Sequence, residues 1–300
     1  MNRRHNEFHE EKTGFFGFFE TEENQETARA LVEAAAEWLR ARGMERMRGP
    51  TNFSTNEEAS SPGVLIEGFD SPPTMQMSHN PTYYAPLLEG AGLEKAKDVV
   101  AVRLEGGEPP ERIVRGNQRA MQRHGVVIRA LNMKRFREEV DTLKELYNAA
   151  WSLNWGFVPM TDAEFEHLAK EFRPIADPEL CQIAEVDGKA VGFSLSMPNL
   201  NEAFRHLPDG RLLPFGIFRF LWHRRKIKGI RMMTLGFRPE YHHVGLGAAF
   251  YLRTWVTAMR QGYVQGEASW VLEDNLEMVR AIERMGGRAY KRYRLYTQPL

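Results

Sequence analysis

Thr234-Leu235-Gly236-Phe237-Arg238-Pro239-Glu240-Tyr241-His242-His243-Val244-Gly245-Leu246-Gly247 is the stretch that decides the fold. Its apolar beginning reads as the end of a strand, and a helix is predicted from Gly247 to Gln261. A helix N-terminus offers free backbone N–H groups and a partial positive charge, which together bind phosphate. Gly245 and Gly247 let the backbone approach such an anion closely. The turn is therefore predicted to bind a phosphate group, the alternative being a glycine-containing helix cap without a ligand.

The elements around this turn indicate the fold class. Periodicity and turn signals predict the following order: strand Val126–Leu131, helices Phe136–Trp155 and Asp162–Phe172, strands Leu180–Val186 and Ala190–Met197, an insertion at about 199–230, strand Arg231–Phe237, helix Gly247–Gln261, strand Glu267–Leu272, helix Asn275–Met285 and strand Ala289–Thr297. Such an order predicts an α/β (α+β) fold with a mixed, mostly antiparallel sheet flanked by helices.

The turn and its flanking elements resemble the pyrophosphate loop of the GNAT superfamily of acyltransferases. In that family the pattern is Arg or Gln, two residues, Gly, one residue, and Gly or Ala. Gly245 and Gly247 match it, whereas His242 departs from it at the first position. The resemblance implies that acetyl-CoA or another acyl-CoA is the co-substrate. The coenzyme-binding residues that it implies are Leu235, Gly236, Phe237, His242, His243, Val244, Gly245, Leu246, Gly247, Ala248 and Asn275.

The residues downstream supply candidates for the chemistry. Residues 275–287 resemble the next GNAT element, but Ile282 stands where many members carry a Tyr that protonates the leaving thiolate. Amine acylation also needs a base. Glu267 and Glu273 are the candidates, because they share one strand face with Ser269. Glu267 ranks first, being nearer the thioester if the neighbouring strand separates after Gly236. The alternative for both carboxylates is an ordinary solvated or ion-paired face, and no metal ligands are predicted.

The predicted function is N-acyl transfer from an acyl-CoA, with acetyl-CoA preferred, to a small-molecule or peptide amine. The alternative is a catalytically silent GNAT-like binding or scaffold module. The departures at His242 and Ile282 favour that alternative, and the retained glycines oppose it. Residues 154–159 lie where GNAT proteins shape the acceptor pocket, although an aromatic packing turn is an equal interpretation.

The first half of the chain is predicted to be a partial GNAT-like domain at 1–110, joined by a linker at 111–125 to the GNAT domain at 126–300. Its strand Phe15–Glu20 and helix Asn24–Arg42 enclose an acidic turn without glycine. Carboxylates at a helix N-terminus repel phosphate, so this tandem, incomplete first copy is predicted to lack coenzyme binding. The alternative is that the half was never a GNAT domain.

Composition narrows the remaining possibilities. Lys plus Arg and Asp plus Glu both number 40, giving a formal net charge of +0 and no general attraction to nucleic acid. A single cysteine and the absence of a signal-like or membrane-spanning apolar run predict a cytoplasmic protein. The insertion at 199–230 places apolar residues beside a basic cluster. It is predicted to cover the acyl site, hold the coenzyme 3′-phosphate, touch a membrane surface or simply pack as a helix.

Overall fold

The structure is a computed structural model that describes residues 2–52, 63–152, 154–207 and 209–300. The abundance of Pro, Gly, Ser and Asn predicts an irregular stretch from Gly49 to Asn80, and part of it, residues 53–62, lies outside the described residues. The strands are β1 Thr13–Phe15, β2 Arg46–Gly49, β3 Val64–Glu67, β4 Glu94–Glu105, β5 Val126–Ala130, β6 Cys181–Val186, β7 Lys189–Pro198, β8 Gly229–Phe237, β9 Gln265–Leu272 and β10 Arg288–Pro299.

The helices are α1 Arg3–His9, α2 Gln25–Arg40, α3 Tyr84–Gly90, α4 Glu111–Arg123, α5 Phe136–Trp151, α6 Asp162–Phe172, α7 Asn201–Phe204, α8 Gly216–Arg224, α9 Leu246–Arg260 and α10 Leu276–Glu283. Side-chain hydrogen bonds to backbone amides explain where some of these helices begin. Thr161 and Glu164 form a reciprocal capping box at α6, and the side chain of Asn24 caps α2. No helix within the described ranges is long and apolar enough to cross a membrane.

One sheet runs through the whole described chain. Its strand order is β1-β2-β10-β4-β9-β8-β7-β6-β5, and β3 pairs with β10 off this path. The ladders are antiparallel except for β1 with β2 and β8 with β9. The predicted mixed, mostly antiparallel sheet flanked by helices is therefore confirmed. Because β4 lies between β9 and β10, strands from both halves of the chain alternate at the centre of the sheet.

Apolar cores cover both faces of the sheet. On one face, α9 packs Phe250 and Trp255 against Met232 of β8 and Ala268 of β9, and Met121 of α4 joins the same core. Elsewhere, side chains of α5 pack with those of β6 and β7, and α2 has a further core with β2 and β10. The parallel pair β8–β9 thus lies between a buried helix on one face and a layer of polar and aromatic side chains on the other.

Some predicted boundaries differ from the structure. The first strand is shorter than Phe15–Glu20 and ends at Phe15, while β2 and α1 were not predicted. The stretch 111–125, predicted to link two domains, forms helix α4, which lies against α9. Its sequence is polar on average, which hides the helix, but its few apolar side chains, including Ile113, Val114 and Met121, recur at helical spacing and face the core shared with α9. The division of the chain into domains at this point stays a prediction.

Candidate functional site

An opening between β8 and β9 forms the centre of the candidate site. The parallel ladder pairs residues 229–232 of β8 with residues 265–268 of β9 and ends at Met232 and Ala268. This is four residues earlier than the separation expected after Gly236. Beyond that point β8 keeps its partner β7, and β9 keeps its partner β4. The cavity between the separated strands has a volume of about 180 Å³. The backbone of residues 233–237 therefore presents one unpaired edge to it.

The N-terminus of α9 lies next to this opening. Gly245 precedes the helix with a φ of 82°, in the left-handed region that favours glycine. No side chain caps the helix, and its first turn carries no acidic residue. A side chain at Gly245 would meet no atom within 4 Å, and one at Gly247 would meet only Phe237, at 3.8 Å. The turn is therefore uncapped and has free space beside Gly245 and Gly247, as an anion-binding turn requires.

The corresponding turn in the first half is built differently. The side-chain oxygen of Asn24 accepts hydrogen bonds from the amides of Glu26 and Thr27, at 2.9 and 3.0 Å. The first turn of α2 also contains the carboxylate of Glu26. Amides that already have an acceptor, next to a negative charge, make a poor phosphate site. This contrast supports the prediction that only the turn before α9 binds coenzyme.

About half of the residues predicted to bind the coenzyme line the opening. They are Leu235, Gly236, Phe237, His242 and Asn275. Val244 and Leu246 are buried in the core beneath the turn, where they anchor it, while His243 and Gly245 are exposed. The ring of His242 makes an edge contact with Phe237, at 4.9 Å between centroids. Asn275 caps α10 by accepting a hydrogen bond from the amide of Met278.

Glu267 lies below the opening rather than in its wall. It is 5 % exposed, and its carboxylate accepts hydrogen bonds from the hydroxyls of Thr74, Ser269 and Tyr290. Of these side chains only Ser269 lines the opening. The Ser269 hydroxyl also accepts a hydrogen bond of 2.8 Å from Nε of the buried Arg231. Ser269 therefore connects the carboxylate of Glu267 to the opening through one hydrogen bond.

Glu273 has a different environment. Its carboxylate forms an ion pair of 2.7 Å with Lys95 and accepts a hydrogen bond of 3.1 Å from the amide of Asp98. It does not line the opening. Although Glu267 and Glu273 belong to one predicted strand face, the structure holds them in separate networks. This geometry favours the interpretation of Glu273 as an ion-paired carboxylate. It does not test whether Glu267 or Glu273 is the catalytic base.

Two residues of the site were not among the predicted ones. The hydroxyl of Tyr251, on α9, is buried beside the opening and has no hydrogen-bond partner among the described residues. Burial raises the pKa of Tyr251, so the hydroxyl keeps its proton. The Thr234 hydroxyl, in the wall of the same opening, likewise has no partner within the described chain. Helical spacing places Tyr251 on an apolar face, and nothing in the sequence distinguishes it from a core residue.

The helix α10 also differs from the alignment with the family. Ile282, placed where many members carry a Tyr, is 3 % exposed and packs in the core against α9. The residues of α10 that line the opening are Glu277 and Met278, one turn earlier. No hydroxyl of α10 therefore reaches the opening.

A second, apolar cavity adjoins the opening on the α5 side of the sheet. Its volume is about 100 Å³. It shares Tyr147, Met233 and Thr234 with the opening. Its other walls come mainly from α5, α6 and the strands β6 and β7, and include Leu131, Phe136, Val140, Leu143, Met160, Phe165, Leu168, Phe172, Phe193, Leu195 and Met197. The two spaces thus share part of one wall.

The comparisons with known proteins agree with this geometry. No protein-family model matches the chain. The bacterial ceramide synthase of Caulobacter vibrioides is 41 % identical over 297 residues, which cover 96 % of this chain and 75 % of that protein. Protein YghO of Escherichia coli is 34 % identical over 304 residues, which cover 99 % of this chain and 76 % of that protein.

A solved structure supports the fold independently. The GCN5-related N-acetyltransferase of Sphaerobacter thermophilus superposes with a TM-score of 0.51, covering 90 % of this chain and 67 % of that one at 14 % identity. At this identity the likeness concerns the fold alone. The chain therefore has the fold of the GNAT superfamily and belongs to the family that includes the bacterial ceramide synthase of C. vibrioides and Protein YghO of E. coli.

Proposed function

We propose that this protein transfers a long acyl chain from acyl-CoA to the amine of a long-chain amino alcohol, forming an amide. The observation that carries the proposal is the apolar cavity that adjoins the opening between β8 and β9. A ceramide is an amide of this kind, so the name of the C. vibrioides relative supports the same substrate class. The sequence predicts acetyl-CoA as donor, whereas the apolar cavity favours a longer acyl group.

The cavity suits an alkyl chain because its lining is almost entirely aliphatic and aromatic. An apolar cavity of about 150 Å³ stays dry and takes up a hydrocarbon such as benzene. The present cavity, at about 100 Å³, accommodates a few methylene groups. The helix α6 covers it with Phe165, Leu168 and Phe172, yet buries none of its own residues fully. A longer chain would require α6 to move outward, which would cost less than moving a fully buried helix.

Coenzyme binding is proposed at the α9 turn. The amides of residues 243–248 would hold the pyrophosphate, and the unpaired edge of residues 235–237 would pair with the pantetheine arm as an added strand. The thioester would then lie in the opening, between the coenzyme turn and the apolar cavity. The amine attacks the thioester carbonyl carbon, the C–N bond forms and the C–S bond breaks.

Proton movements are proposed for two of the hydroxyls at the opening. The substrate ammonium would lose one proton to solvent before it attacks as the neutral amine, and Ser269 would take the second proton as the C–N bond forms while passing its own to Glu267, which later releases it to solvent. Tyr251 would donate a proton to the departing thiolate and recover one from solvent, for which its buried and unpaired hydroxyl is suited. Glu273 is the weaker candidate base because Lys95 already neutralises it.

Two chain-length series test the proposal. In one, the amine is held constant and the acyl-CoA varies from acetyl to palmitoyl; in the other, the acyl-CoA is constant and the amino alcohol varies in length. Each buried methylene contributes about 0.8 kcal/mol, or roughly fourfold in kcat/KM. We expect such a rise in at least one series, and that series identifies which substrate places its chain in the cavity. A flat response in both series would contradict the proposal.

A variant of α6 links the response to the cavity. Ala169 lines the cavity, whereas Ala163 on the same helix is exposed and does not. Ala169→Phe should fill the space and lower kcat/KM for long substrates by roughly tenfold or more, leaving short ones unaffected. Ala163→Phe serves as the matched control and should leave both unchanged.

A further inference from the structure

The segment 211–228, named here the docking segment, surrounds helix α8. Part of it is well anchored: Phe220 and Ile227 are buried in a core with Leu200, Ala203 and Leu207, and the rings of Phe204 and Phe220 stack at 5.0 Å between centroids. The carboxylate of Glu202 accepts hydrogen bonds from the amides of Lys228 and Gly229. The segment therefore has a defined inner face that holds it against the body of the protein.

Its outer face is also apolar, although it is open to solvent. Phe215 is 78 % exposed, Phe218 70 % and Trp222 59 %, and Leu213 and Leu221 are exposed beside them. Residues 218, 221 and 222 follow the spacing that places side chains on one helical stripe. A helix that is apolar on opposite sides is normally covered on both. Contiguous apolar exposure of this kind marks a surface for binding a protein or a membrane.

Basic residues border this apolar surface. Exposed side chains that surround it are Arg211, Arg219, Arg225, Lys226 and Lys228. Between residues 211 and 228 there is no acidic residue, although the whole chain has a formal net charge of +0. The ammonium of Lys226 also lies 4.7 Å from the ring centre of Trp222. Positive charge is thus concentrated on the face where apolar side chains are exposed.

This charge distribution favours one kind of partner. In a symmetric dimer through this face, the same basic residues of two copies would oppose each other, which is unfavourable. An anionic lipid surface offers phosphate groups for the basic residues and acyl chains for the aromatic ones, which is the pattern of an interfacial helix. The segment also adjoins the apolar cavity, since Phe172, Met197 and Met233 belong both to the cavity wall and to the core beneath α8.

We infer that the docking segment 211–228 binds the surface of an anionic lipid bilayer, with Phe215, Phe218 and Trp222 in the headgroup region. This surface is separate from the coenzyme turn and the opening, so the inference holds whether or not the proposed reaction is correct. It also describes surface attachment, which needs no membrane-spanning helix.

Vesicle flotation tests the inference directly. The full chain is mixed with vesicles of phosphatidylcholine alone or of phosphatidylcholine with phosphatidylglycerol, and the bound fraction is measured. Each basic residue near an anionic surface strengthens binding by roughly fivefold. We expect strong binding only to the anionic vesicles, weakening as salt is added because salt screens exposed charges. Tryptophan emission should shift to shorter wavelength on binding, and Trp222→Phe should remove that shift while retaining most of the affinity.

Two pairs of variants separate the apolar and the charged contributions. Phe218→Ser with Trp222→Ser should weaken binding by roughly tenfold or more. The control is Leu31→Ser with Trp38→Ser, which removes two exposed apolar side chains from α2. Arg219→Glu with Arg225→Glu should weaken binding at least about 25-fold.

The control for the charge pair is Arg112→Glu with Arg119→Glu on α4, which makes the same charge change on another exposed helix and should leave binding intact. Equal losses in docking-segment and control variants would overturn the inference, as would a wild-type chain that ignores anionic vesicles. Analytical sedimentation distinguishes a further outcome. If Phe218→Ser with Trp222→Ser converts a dimer to a monomer, and neither form binds vesicles, the face is a subunit interface and the inference is wrong.

Discussion

Gly247→Glu should separate coenzyme binding from stability. Gly247 lies in the first turn of α9, where an added Cβ would meet only Phe237, at the ordinary distance of 3.8 Å. A carboxylate near a helix N-terminus stabilises the helix by about 0.3–1 kcal/mol, and replacing glycine within a helix favours it further. The variant protein without ligand should therefore unfold at the same temperature as the wild type or at a higher one.

Coenzyme binding should change in the opposite direction. Two negative charges about 4 Å apart repel each other by roughly 1 kcal/mol in water and by about 4 kcal/mol near a protein surface. The half-exposed turn lies between these limits, so the affinity for CoA should fall by between about 5-fold and 1000-fold. Calorimetric titration with CoA and thermal unfolding of the same samples measure the two effects.

Gly247→Ala is the matched control, since the family pattern admits Gly or Ala at this position. It should bind CoA within about fivefold of the wild type, because it adds a methyl group and no charge. If both variants bound CoA as tightly as the wild type, the anion would not lie at the amides of α9. Equal losses in the two variants would point to steric blockage instead of charge.

Three further predictions concern other parts of the site and the fold. Tyr251→Phe should lower kcat by about 10²-fold or more with little change in CoA affinity, because it removes only a hydroxyl that has no partner among the described residues; an unchanged kcat excludes it as the acid. Glu267→Gln should lower kcat by about 10²- to 10⁴-fold and alter the pH–rate profile, while Glu273→Gln should not, and the reverse order would assign the base to Glu273. Burial alone would raise the pKa of Asp98, but hydrogen bonds from Arg294 and Lys95 outweigh it and hold the pKa below its ordinary value. The native carboxylate thus adds stability above about pH 4, which is lost as the pH falls through its folded pKa. Asp98→Asn should then cost about 3 kcal/mol in urea unfolding at pH 7 and progressively less as the pH falls below about 4 toward the folded pKa, whereas a cost independent of pH would refute this role.

The sequence predicted the second half of the fold well, because its elements have strong and regular periodicity. Helix α6 has the predicted bounds, and α9 begins within one residue of its prediction. The turn before α9 could also be predicted, because its local backbone geometry favours the glycines at 245 and 247. The first half was harder to predict because β2 is only four residues long and pairs with the distant β10.

The limits of prediction at the site have a physical cause. Glu267 and Glu273 stand three alternations apart on the predicted strand, and sequence spacing cannot show that Tyr290 and Thr74 enclose one carboxylate while Lys95 neutralises the other. Thr74 and Lys95 are nearly two hundred residues away in the sequence, and Tyr290 lies on β10, which β4 separates from β9. The apolar cavity could not be predicted from the sequence either, because the residues that line it have the composition of an ordinary hydrophobic core.

The most direct test of the central claim is product analysis with purified protein. Palmitoyl-CoA and a long-chain amino alcohol are incubated with the full chain, the amide is quantified by mass spectrometry, and the released CoA thiol is measured in the same sample. The account predicts one amide per thiol released, with little product when a short polar amine replaces the amino alcohol. Thiol release without amide, or an equal rate with the short polar amine, would contradict it.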